Sequence, residues 1–141
     1  MGRVNAKRIW LALGLAAFIG LVIVGSYVKR QPPSQPITCI DPVKGCVFNY
    51  HGRPAYLRFS NQPAAMQPFA IEVHAPEVSH VHVQAQMVGM DMGFNRYDLR
   101  PQHPDVFVAR ITLPVCVSGR REWLLYLEVG RDRYVLPFKS R

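Results

Sequence analysis

Residues 68–74, PFAIEVH, and 79–87, SHVHVQAQM, decide the fold class. In the first stretch Phe69, Ile71 and Val73 share one parity, and Glu72 and His74 the other. In the second, Val81, Val83, Ala85 and Met87 oppose His80, His82, Gln84 and Gln86. Successive side chains of an extended chain point to opposite faces, so a period of two marks a half-buried strand, whereas a helix would repeat near 3.6. Each stretch therefore has one core face and one polar face.

The same pattern recurs outward from these two stretches. Further strands are expected near 37–40 (ITCI), 45–50 (GCVFNY), 55–60 (AYLRFS), 94–99 (FNRYDL), 106–113 (VFVARITL), 122–129 (EWLLYLEV) and 133–138 (RYVLPF), separated by Pro, Gly, Asn and Asp. Phe107, Ala109, Ile111 and Leu113 form one expected inward set, and Trp123, Leu125, Leu127 and Val129 another. Short strands with turns every ten residues or so predict an all-β domain over 37–141, an immunoglobulin-like antiparallel β-sandwich. No internal repeat or low-complexity tract is evident.

The amino-terminal part reads differently. Ile9 to Val28, IWLALGLAAFIGLVIVGSYV, is a run of twenty residues without a charge, bounded by Arg3, Lys7 and Arg8 on one side and Lys29 and Arg30 on the other. A helix rising about 1.5 Å per residue would span the bilayer's hydrocarbon core of about 30 Å with such a run. A signal peptide core of about 7–15 residues is shorter than this, so residues 1–30 are expected to be an uncleaved transmembrane anchor. The Val24-Gly25-Ser26 segment resembles a cleavage site and keeps the signal-peptide alternative in view. The slightly more basic leading flank favours a cytoplasmic N-terminus and a periplasmic domain on an inner-membrane protein. Ala12, Ala16 and Gly20 form a small-residue stripe of the kind that lets a second helix approach. Residues 31–36, QPPSQP, are expected to be a proline-rich spacer.

The net charge of +8 does not imply nucleic-acid binding. Five of the seventeen Lys and Arg flank the apolar run; the other twelve stand against all nine acids, leaving residues 31–141 at +3. A basic stripe able to neutralise many phosphates is missing from the sequence. The chain also carries no nucleophile elbow, no C-x-x-C, no H-E-x-x-H and no phosphate-binding glycine loop, and its acids are scattered singly, so the expectation is a non-enzyme.

Candidate chemistry lies in the sulfur and imidazole groups. Cys39 and Cys46 flank the turn-like Asp-Pro-Val-Lys-Gly and are candidates for a disulfide in an oxidising compartment, which would leave Cys116 unpaired; a bridge from Cys116 to either remains an alternative. In MVGMDMGFNRY, residues 87–97, parity assigns Met87 to the core and leaves Met90 and Met92 beyond the strand between Gly89 and Gly93. Thioethers are soft ligands suited to Cu(I), so Met90 and Met92 are candidate metal ligands, with Cys116, His80, His82 or His103 as a third donor. The competing reading is loop-edge packing under Phe94 or Tyr97. The His-x-His pair His80 and His82 shares a strand face and suits two-point capture of a metal, although a solvated polar row explains it as well. Cys116, in LPVCVSGRREW, is expected to face outward beside Arg120 and Arg121, which would favour its thiolate; core burial is the alternative.

Gly89-Met90-Asp91-Met92-Gly93 with Asn95-Arg96, and Leu113-Pro114-Val115-Cys116-Val117 followed by Gly119-Arg120 and Trp123, resemble a group of small membrane-anchored bacterial proteins with an immunoglobulin-like periplasmic domain, loosely related to FixH and YtkA-like domains. The resemblance covers roughly the C-terminal two-thirds of the domain plus the anchor-then-sandwich layout. It implies copper handling or cytochrome oxidase assembly, with a Sco-type chaperone or oxidase subunits as partners, and it carries Met90, Met92 and Cys116 over as functional positions. Glu122 stands where such proteins can show another methionine, a departure from a methionine-rich site. Two other functions are compatible with the residues: an accessory subunit of a larger inner-membrane respiratory complex that binds no metal, and a thiol reductant acting through Cys116 or the Cys39 and Cys46 pair.

Overall fold

The computed structural model describes residues 6–28, 33–90, 95–115 and 119–141. The chain divides into two compact units, Met1–Pro32 and Pro33–Arg141. The first contains the helix α1, Ala6–Val28. Its described side chains are Trp10, residues 13–23 and Gly25, all exposed. Leu13, Leu15, Phe18, Ile19, Leu21, Val22 and Ile23 point in every direction around the axis at 100° per residue, so the described side chains of this helix form no polar face. Among the described residues no helix is long and apolar enough to cross a membrane.

The second unit is all β, as the alternation predicts. Its strands are β1 Gln35–Pro36, β2 Cys46–Tyr50, β3 Arg53–Phe59, β4 Pro68–His74, β5 Val81–Met87, β6 Arg96–His103, β7 Val106–Thr112, β8 Glu122–Val129 and β9 Asp132–Lys139. They form one sheet in the order β1-β9-β8-β5-β6-β7-β4-β3-β2. All pairings are antiparallel except β1 with β9.

The sheet curls at β6. Arg96 to Leu99 pair with β5, whereas Arg100 onward pairs with β7, with a register shift between Pro101 and His103. Proline has no N–H to give a ladder, so a proline here suits a strand that is leaving one partner for another. The curl brings the far ends of the sheet together. Phe48 of β2 lies 4.7 Å from Tyr134 of β9 between ring centres, and Phe59 of β3 lies 5.3 Å from Phe138 of β9. The Tyr134 hydroxyl donates to the Asn49 carbonyl at 2.9 Å.

The inward parities close over this interior. Phe69, Ile71, Val73, Val81, Val83, Ala85, Met87, Leu125, Leu127 and Val129 are buried, while Ala109 is only partly so. Each fully buried Val, Leu or Ile removes enough apolar surface from water to contribute about 1.5–3 kcal/mol, which makes this face the main source of stability.

Two expected boundaries move. The strand expected at 37–40 is absent; the pairing lies at Gln35–Pro36, inside the expected spacer, and Ile37 extends it by donating to Val135 at 2.8 Å. Cys39 and Ile40 are diverted because Cys39 is bonded to Cys46 and Asp41 organises a turn, accepting from Val43 at 3.0 Å and Lys44 at 3.1 Å. The strand expected at 94–99 instead runs to His103, since β6 continues while it changes partner.

The two ends of the domain differ. At one end the strands turn tightly: His51-Gly52, Pro104-Asp105 and Gly130-Arg131 each join neighbouring strands through two residues. His51 (φ 49°) and Gly52 (φ 80°) are both left-handed, as a type I′ hairpin requires, and Gly130 (φ 60°) in the first central position suits type II′. At the other end lie the longer connections 38–45, 60–67, 88–95 and 113–121, together with the C-terminus. These are tied to one another: Phe59 donates to Pro42, Met66 to Leu113, Val88 to Glu122, Ser140 to Arg121 and Arg141 to Pro63, at 2.8–3.1 Å.

Candidate functional site

The long-loop end carries the sulfur groups. Met87, at the end of β5, is 2 % exposed and belongs to the core, as its parity predicts. The chain then turns: Met90 N–H donates to the Met87 carbonyl at 3.0 Å, with Gly89 at φ +82° in the position where a type II turn demands a left-handed residue. Met90 is thereby set on the surface, 45 % exposed.

The neighbouring connection is pinned to this turn. Met87 pairs with Trp123, Val88 donates to Glu122 at 3.1 Å, and Arg120 Nη1 donates to the Val88 carbonyl at 3.4 Å. Residues 88–90 and 119–121 thus lie side by side at this end of the sheet. Met92 and Cys116, which belong to these two connections, lie outside the described residues, as do Asp91 and Phe94.

Met66 was not legible as part of this region. It sits in NQPAAMQP without another sulfur residue nearby in sequence. In the fold it is 67 % exposed, left-handed at φ 59°, and joined to the 113–121 connection by its N–H to the Leu113 carbonyl at 2.9 Å. Only the bridge between Ala65 and Leu113, just past β7, reveals that Met66 and Met90 share an end of the β domain.

Several residues in the quoted motifs have structural tasks. Asn95 is buried, and its Nδ2 donates to the Ala85 carbonyl at 3.2 Å while Ala85 N–H donates to Asn95 at 3.1 Å, sealing the returning loop onto β5. Trp123 is buried, with Nε1 donating to Ser140 Oγ at 3.3 Å. Arg96 donates to Glu128 at 2.9 Å on the outer face.

His80 and His82 stand at the start of β5, at the tight-turn end, where Gly130 donates to the His80 carbonyl at 3.3 Å. From His82 to Met87 the strand advances about 17 Å before the chain reaches the Met90 turn, and His82 faces outward where Met87 faces inward. The histidines accordingly contact each other, Ser79 and Asp98, with ring centres 6.0 Å apart, and the structure does not bring them to Met90. His103 is also placed at the tight-turn end, beside Pro104-Asp105.

The disulfide between Cys39 and Cys46 is formed, with Cα atoms 5.3 Å apart. It closes a loop whose tip, Ile40, is wholly exposed. Beside it lies a cleft of about 510 Å³ lined by Ile40, Pro42, Lys44, Pro63, Pro137 and Phe138, among others.

On the outer face of β3 and β4, Glu72 is held below the ordinary carboxylate range, first by the hydrogen bond from His74 and then by Arg58, against the opposing effect of its partial burial. This arrangement is a surface ion cluster. Compared with known proteins, the chain matches no family model, no curated protein and no solved structure.

Proposed function

We propose that this protein is a membrane-anchored, extracytoplasmic copper-handling protein whose immunoglobulin-like β-sandwich carries Cu(I) transiently as cargo at its long-loop end. Met90, Met92 and Cys116 are the donors, and ligand exchange passes the ion to a partner such as a Sco-type chaperone or an oxidase subunit. The observation that carries the reading is the joining of the 88–95 and 113–121 connections through Val88, Arg120 and Glu122, with exposed Met66 beside them. Exposed thioethers on adjoining loops suit a soft ion that must be both taken up and released.

The anchor rests on the uncharged run Ile9–Val28, on its helical conformation, and on the apolar side chains that face every direction around α1. A helix without a polar face is stable where its surroundings are apolar, and a bilayer supplies such surroundings. The inner membrane and a periplasmic domain follow from this reading together with the Cys39–Cys46 disulfide.

Titration of the full-length protein in detergent micelles with Cu(I), under a competing chelator and a reductant, tests the assignment. Met90→Leu with Met92→Leu is expected to weaken binding at least tenfold, and Cys116→Ser to do the same; affinity unchanged in the double methionine variant overturns it. A second reading, an accessory subunit of a respiratory membrane complex, is favoured by the wholly exposed Ile40 at the disulfide loop. Stoichiometric copurification with a membrane partner, combined with no Cu(I) uptake, decides for that reading.

A further inference from the structure

We infer that His80 and His82 form a second metal site, separate from the long-loop end, that takes a borderline divalent ion of the Ni(II), Cu(II) or Zn(II) class. His80 immediately precedes β5 and His82 lies within it, one on either side of the buried Val81, and neither ring is buried. Their ring centres are 6.0 Å apart with planes inclined at 45°. With metal–nitrogen bonds of about 2.0–2.1 Å and a ring centre about 1.1 Å behind each nitrogen, two imidazoles on one tetrahedral ion have centres about 5 Å apart. Binding would draw the two rings together by side-chain rotation.

The hydrogen bond to Asp98 favours the His82 tautomer that such a site needs. His82 Nδ1 is bonded to Asp98 Oδ1, across the β5–β6 pairing that sets His82 opposite Asp98. An ionised carboxylate only accepts, so His82 Nδ1 carries the hydrogen, and in the neutral ring Nε2 is then the nitrogen with the lone pair. A carboxylate behind the ligating imidazole is the usual arrangement at metal-bound histidines, where it fixes ring orientation and raises basicity. His80 Nδ1 is hydrogen-bonded to Ser79 Oγ at 2.7 Å, a hydroxyl that can accept the Nδ1 hydrogen when Nε2 is the ligating nitrogen.

Glu128 stands opposite His82 in the β5–β8 pairing but is engaged by Arg96 at 2.9 Å. Among the described residues no group of three His, Cys, Asp or Glu is placed to hold a metal by itself. The site is therefore a two-point one: both imidazoles bind, Asp98 acts as a positioning residue, and the remaining coordination positions stay open to water or to a donor from a partner. Imidazole ligation selects this class of ion over Cu(I), which the thioethers would take. The inference does not depend on the copper reading of the long-loop end.

Ni(II) is the probe, because it favours imidazole and neither oxidises nor is reduced by the thiol of Cys116 under these conditions. In full-length protein in micelles, Ni(II) is expected to broaden the amide resonances of residues 80–83 and 97–99 by its paramagnetism while leaving those of Met66 and Met90 sharp. His80→Ala with His82→Ala is expected to abolish this broadening and weaken Ni(II) binding at least tenfold. Asp98→Asn, which keeps both imidazoles and an acceptor for Nδ1 but removes the carboxylate charge, is expected to weaken binding about tenfold by lowering the basicity of the His82 ring. Met90→Leu should leave it unchanged. Binding retained in the double histidine variant, or broadening centred on the long-loop end, overturns the site; binding unchanged in Asp98→Asn overturns the role given to Asp98. An amide spectrum of the metal-free double variant matching the native one outside β5 shows that the fold is intact.

Discussion

The two ends of the β domain are built from the same strands and behave as different materials. At the tight-turn end, two-residue hairpins and a set of cross-sheet contacts hold the strands together: Tyr134 to Asn49, and His51 to Asp132 at 2.7 Å. At the other end the connections are longer, carry the exposed methionines, and are joined by scattered backbone hydrogen bonds and one short disulfide loop. Chain that is spent in tight turns has little freedom to present a ligand, whereas longer loops on a rigid sheet can. β5 connects both, with an imidazole pair at its start and a methionine turn past its end.

The largest effect should come from breaking the contrast within that one strand and turn. Met87→Ala empties a fully packed position and is expected to cost about 2–5 kcal/mol, whereas Met90→Ala on the surface should stay within about 0.5 kcal/mol. Urea unfolding of the two variants measures it; similar losses would put Met90 in the core and remove it as a donor.

A somewhat smaller effect is expected at the long-loop end as a whole. Cys39→Ser with Cys46→Ser frees a loop closed across seven positions of sequence, which should cost about 2–3 kcal/mol by unfolded-chain entropy. Hydrogen exchange should then rise in residues 38–45 and in Phe59, whose amide donates to Pro42, and not in the tight turns.

The smallest effect tests the opposite end. Tyr134→Phe removes the hydrogen bond to Asn49 and should cost about 1 kcal/mol at neutral pH. Burial pushes the Tyr134 hydroxyl up to about 12, with Asp132 and Tyr50 adding to the shift. A phenol that ionises later in the folded chain than in the unfolded one contributes stability that is intact below about pH 10 and is lost as the pH rises through the folded value. The native protein should therefore lose more stability between pH 10 and 12 than Tyr134→Phe, as read from parallel unfolding curves; equal losses would show that Tyr134 titrates freely.

Much of the architecture is legible from alternation. PFAIEVH and EWLLYLEV appear as β4 and β8 with the predicted ends, and the inward parity of β5 places Met87 in the core. Alternation is a property of the backbone itself, since each peptide unit turns the next side chain to the other face, so it survives in any sheet that buries one side. ITCI failed as a strand because a covalent bond to Cys46 and the Asp41 turn outcompeted its apolar pattern.

The sequence by itself determined that residues 37–141 build an antiparallel β domain with a known inward face, that Cys39 and Cys46 are spaced to close a loop, and that Ile9–Val28 is apolar and uncharged. Only the tertiary structure decided which connections share an end. Strand order places β5 between β8 and β6, and this joins the 88–95 turn to Arg120 and Glu122. It also draws Met66 to the same end by a pairing with Leu113, and leaves His80 and His82 nearly a strand's length from Met90. Those relations arise from hydrogen bonds between residues far apart in the chain. Local periodicity carries no information about them, because the same strands with the same inward faces can be ordered in a sheet in many ways.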